Sequence, residues 1–80
     1  MPTIHRERGY KFYFWVGETA NEPPHVHIWG NEGEMKVWLA DLSIEECYNI
    51  PNHEQTKLLK IVKEHQEEFL KKWYAIKQRN

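Results

Sequence analysis

At 80 residues with one cysteine, the chain has room for one compact unit, and it excludes an internal disulfide framework or a zinc site built from its own thiolates. Eleven Lys plus Arg against twelve Asp plus Glu leave a formal charge of −1, so no global charge draws it to nucleic acid or an anionic membrane. Four Trp, four Tyr and three Phe supply the core, because each ring buries on the order of 150–250 Å². Met1 to Arg6 shows no apolar signal region, and no run approaches the roughly 20 apolar residues that span a bilayer. The expectation is a single cytoplasmic domain over 1–80 with no membrane contact.

In chain order, the aromatic run Tyr10, Phe12, Tyr13, Phe14 and Trp15 predicts a strand over 10–16, since such residues suit a pleated, partly buried surface. The stretch from Gly17 to Pro24 carries Gly, Asn and two prolines and reads as a loop with an extended exit. Strands over 25–29 and 34–40 flank Gly30-Asn31-Glu32-Gly33, a tight-hairpin signal. Asp41-Leu42-Ser43 reads as a turn, and 44–49 as a fourth strand that ends before Pro51. Asn52, as a cap, and Gln55 make a capping-box-like pair, and no Gly or Pro interrupts the remainder. At about 100° per residue, Leu58, Val62, His65, Phe69, Trp73 and Ile76 share one stripe, predicting one long helix over 53–77. The predicted fold class is α+β, a four-stranded antiparallel meander with one long C-terminal helix packed on one face.

A two-residue or four-residue hairpin loop gives one register, placing Trp29 opposite Glu34, Ile28 opposite Met35 and Val26 opposite Val37. That apolar face meets the helix. The other face then carries His25 with Trp38, His27 with Lys36, and Tyr13 and Trp15 of the first strand. In this register His65, inside the helix stripe, faces the core and does not meet the pair; a one-residue slip would exchange the faces and bring three imidazoles together.

Three chemistries are open to Pro23-Pro24-His25-Val26-His27. The two imidazoles could bind a divalent metal such as zinc, with a further ligand from Glu34, His5 or His53. They could act as acid and base in RNA cleavage, with Lys36 stabilising negative charge and His65 as a third candidate. Or they simply fill half-exposed strand positions. The face of Tyr13, Trp15, Trp29, Lys36 and Trp38 is the candidate partner-binding surface, for another protein, a second copy of the chain, or RNA bases stacked on the rings. Cys47 reads as a small buried apolar residue, and no resident cofactor is demanded.

Taken together, Met1-Pro2-Thr3-Ile4, the Pro-Pro-His-x-His run, Gly30, and His65 followed by Trp73 resemble a family of short bacterial proteins catalogued only as a domain of unknown function. Val26 departs from the aromatic usual between its two histidines. Members are often encoded beside a second small protein, in pairs similar to toxin–antitoxin modules. The resemblance implies a toxin-like or regulatory protein with a small partner from an adjacent gene, and a functional role for His25, His27 and His65.

Overall fold

The computed structural model describes residues 3–79; Met1 and Pro2 of the Met-Pro-Thr-Ile start lie outside the described residues. Five strands, β1 (Thr3–Glu7), β2 (Tyr10–Tyr13), β3 (His25–Gly30), β4 (Gly33–Trp38) and β5 (Ile44–Tyr48), form one antiparallel meander in sequence order. Two helices follow, α1 (Asn52–Glu64) and α2 (Gln66–Arg79). The α+β class and meander are as expected, but the sheet has a fifth strand and the helix is divided.

The additional strand is β1. Its turn, Arg8-Gly9, has φ of 57° and 83° and joins the Glu7–Tyr10 pair, the backbone twist that matches a two-residue hairpin. Only Ile4 in β1 is an aliphatic residue, so sequence alternation carries almost no strand signal there. The predicted 10–16 strand stops at Tyr13, and Val16 turns out of the sheet into a short 3-10 helix, Val16–Ala20. Thr19 Oγ1 donates to the Val16 carbonyl (2.8 Å) and closes that turn.

The helix divides at His65, whose φ of −108° and ψ of 12° leave the helical region. Its amide is shared between the carbonyls of Ile61 (3.1 Å) and Val62 (3.2 Å), so the ladder tightens before α2 begins. Gln66 then donates from Nε2 to the Leu39 carbonyl, tying the start of α2 to the residue that follows β4. At the other end, Asn52 is the first helical residue rather than the cap, and Gln55 Nε2 donates to the Ile50 carbonyl at 2.8 Å.

The β3–β4 register matches expectation: His25 faces Trp38, Val26 faces Val37, His27 faces Lys36 and Trp29 faces Glu34. The closing residues Asn31 and Glu32 have φ of 49° and 62°, the paired left-handed geometry of a type I′ turn. A non-glycine residue costs about 1–2 kcal/mol there, of which glycine's greater unfolded entropy offsets about 0.5–1 kcal/mol. Glu32→Gly should therefore stabilise by up to about 1 kcal/mol, read as a raised urea midpoint; a lower midpoint would contradict the turn assignment.

The inner face buries Phe12, Val26, Ile28, Val37 and Leu39 against Leu58, Ile61, Val62 and Phe69. The helix stripe is thus largely as predicted, although His65 is half-buried rather than enclosed. Cys47 is exposed, against the expectation of burial: β5 is an edge strand and all five of its residues are exposed. No helix among the described residues is long and apolar enough to cross a membrane.

Candidate functional site

Side chains two apart on a strand share a face, so the register lays two rows across the outer surface of the sheet. One runs Lys11, Trp29, Glu34, Tyr48; the next runs Tyr13, His27, Lys36, Glu46. His25 and Trp38 begin a third. The Lys11 ammonium stands 5.1 Å above the Trp29 ring and that of Lys36 stands 4.8 Å above Trp38, cation–π geometry that orients each ring. Lys11, Tyr13, Trp29 and Glu34 line a shallow recess.

This face is open only in part. The 3-10 helix and α2 pack together at the His25 end. His25 has no exposed surface, and Trp73 of α2 lies 4.9 Å from its ring and 5.0 Å from Phe14. Trp38 approaches the His25 ring edge-on at 5.5 Å. Of the predicted partner-binding residues, Trp15 and Trp29 are exposed, whereas Tyr13, Lys36 and Trp38 are half-buried.

Over the histidine pair the 3-10 helix places Glu18. The Glu18 side chain first caps its own turn, accepting the Trp15 amide at Oε1 (3.1 Å). The same oxygen lies 2.9 Å from His27 Nε2 and 3.0 Å from His25 Nε2, and Oε2 lies 3.1 Å from His27 Nε2. On its other side, His25 Nδ1 is 3.0 Å from the Pro23 carbonyl. A carbonyl only accepts, so Nδ1 carries a proton. The His25 Nε2–Oε1 approach is close but misaligned, and this buried Nε2 has no hydrogen-bond partner among the described residues.

Burial raises the Glu18 pKa, but the Trp15 amide and the His27 and His25 imidazoles together outweigh it and hold the carboxyl below its ordinary value. Burial likewise opposes the charge on Lys36, yet its 2.9 Å bond to Glu22 and the surrounding carboxylates hold the ammonium above its usual range. Tyr13 stacks on His27 at 5.2 Å, and burial, with the charges of Glu34 and Glu18, pushes its phenol up.

His65 belongs to a different cluster on the inner face. Its ring lies 4.3 Å from that of His5 and stacks on Phe69, while Glu7 Oε1 is 2.8 Å from His5 Nε2 and 4.0 Å from His65 Nε2. The sequence therefore points to His25 and His27 as neighbours, but the third donor beside them is Glu18 rather than the expected Glu34, His5 or His53. No local signal marks Glu18, because it reaches the pair only when the loop before Pro23 folds back as a 3-10 helix.

The model of a family described as "Domain of unknown function (DUF4160)" matches residues 9–74. No match was found among curated proteins or among solved structures.

Proposed function

Because the chain belongs to the DUF4160 family, whose description carries no activity, we propose from its surface that it is the protein-binding component of a two-protein module, toxin-like or regulatory, that docks a small protein on the outer sheet face. The observation that carries this reading is Trp29. It sits on the central strand of a five-stranded sheet yet remains 48% exposed, beside the recess it shares with Tyr13, Lys11 and Glu34. Contiguous exposed aromatic surface marks an interaction site, and Trp is enriched among residues that dominate binding energy. Tyr48 at the far end of the row and Trp15 beside Tyr13 extend the apolar surface. The opposed charges of Lys11 and Glu34 favour a partner that fills the recess with an apolar side chain flanked by both signs.

The test is co-expression with the product of an adjacent gene, followed by co-purification and growth measurement. A complex should form, and Trp29→Ala should weaken it about 30-fold or more, the effect of losing an anchor worth at least about 2 kcal/mol. Absence of any complex, or an unaltered affinity in the variant, would sink the reading. Light scattering on the chain alone separates a partner complex from self-association.

An RNA-cleaving role draws less support. Acid–base catalysis needs both groups within reach of the reacting phosphodiester, whereas His25 is fully enclosed beneath Glu18 and Trp73.

A further inference from the structure

We propose that Glu18, His25 and His27 form a binding site for a divalent transition-metal ion of the zinc class. Their ligand atoms lie within 4.8 Å of one another, and two imidazoles with one carboxylate are donors that zinc and its neighbours accept.

The case rests on His25. Its Nδ1–H is fixed on the Pro23 carbonyl, the outer contact that metal-ligating histidines typically make to set tautomer and ring direction. In the neutral ring Nε2 then carries the lone pair, and it is wholly buried and without a hydrogen-bond partner among the described residues, 3.0 Å from a carboxylate oxygen. Lone pair against carboxylate is unfavourable in a site screened from water, and a cation between the two atoms removes the conflict. His27 Nε2 converges on the same oxygen at 2.9 Å. Donors around a tetrahedral zinc stand about 3.3 Å apart, from bonds of about 2.0 Å, so the two nitrogen–oxygen separations need to open by only a few tenths of an ångström, and the two nitrogens lie within 4.8 Å of each other. The Pro23-Pro24 segment supplies the anchoring carbonyl, and alternation on β3 puts both rings on one face. Three protein ligands leave one tetrahedral position for water or a small exogenous ligand.

The alternative for the same atoms is a doubly protonated His25 paired with Glu18. The His5, Glu7 and His65 group is the natural control, since its ligand atoms are also clustered but none of its ring nitrogens is both buried and without a hydrogen-bond partner, as His25 Nε2 is.

The experiment uses the full chain after chelator treatment. Zinc in micromolar excess should raise the melting temperature by about 5 °C or more, and cobalt(II) should develop the visible bands of a low-symmetry site. His27→Ala and Glu18→Gln should each weaken binding at least about tenfold, whereas His65→Ala and Trp29→Ala should not. Glu18→Gln keeps an oxygen for the Trp15 amide, so it carries the test if His27→Ala does not fold. The proposal is overturned if neither metal binds, if binding survives in Glu18→Gln, or if His65→Ala alone abolishes it. Nitrogen NMR showing both His25 nitrogens protonated and unmoved by zinc overturns it too, in favour of the ion pair.

Discussion

Trp73→Ala should cost about 3–5 kcal/mol, the range for truncating a buried aromatic when the surroundings relax only in part. Trp73 is 1% exposed and stands outside the main core cluster, against Phe14 and His25. These residues come from α2, from the segment just after β2 and from the start of β3, so few other buried side chains are positioned to close the cavity. An 80-residue domain commonly holds about 4–12 kcal/mol in total, which makes the loss about a quarter of the whole or more. Urea denaturation with an unchanged slope is the appropriate measurement; a loss under about 1.5 kcal/mol would show that Trp73 is not the wedge its contacts suggest. The effect should also reach the histidine pair. With the indole gone, one wall of the His25 enclosure is missing, and the variant should bind hydrophobic dyes or exchange the His25 ring proton faster than the parent.

The same neighbourhood shows what a single sequence does and does not disclose. The β3–β4 register is legible because glycines bracket Asn31-Glu32 and the strands on either side alternate consistently, so one pairing brings Val26, Ile28, Met35 and Val37 together on one buried face. β1 is nearly illegible: Thr, His, Arg and Glu surround Ile4, and its only strong mark is the left-handed Arg8-Gly9 turn. The division at His65 lacks a Gly or Pro, and the apolar stripe runs through it unbroken, so periodicity sees one helix where tertiary packing of His65 between His5 and Phe69 makes two. Cys47 has the residue type of a core position but the location of an edge strand. Glu18 is the most instructive case. Its partners His25 and His27 are seven and nine residues away, its turn is a 3-10 helix of five residues, and short 3-10 segments carry little periodic signal. The two histidines are readable as a pair; the carboxylate that makes them a three-donor group is set by loop geometry alone.

Gly33→Ala and Gly30→Ala should each lose about 2–3 kcal/mol by overpacking, although both positions look like ordinary hairpin punctuation. These two residues form the last pair of the β3–β4 ladder, and each is pressed against backbone on a different side. A Cβ on Gly33 would lie 2.6 Å from the Asn49 carbonyl oxygen and 2.9 Å from that of Tyr48, where the chain leaves β5 for α1. A Cβ on Gly30 would lie 2.5 Å from the Gly9 carbonyl oxygen and 3.0 Å from Tyr10 Cα, at the β1–β2 turn. Backbone atoms cannot rotate aside as a side chain can, so the added methyl must push apart the sheet that Trp29 and Glu34 belong to. Gly17 provides the contrast: nothing lies within 4 Å of its would-be Cβ, and Gly17→Ala should be neutral or stabilise by up to about 1 kcal/mol through the unfolded chain. Thermal melts of the three variants decide between steric and purely conformational roles. If all three lose the same amount, the close backbone approaches at Gly30 and Gly33 are not what the hairpin requires; if only Gly17→Ala is tolerated, the glycines are there because two neighbouring turns pack directly on the hairpin end.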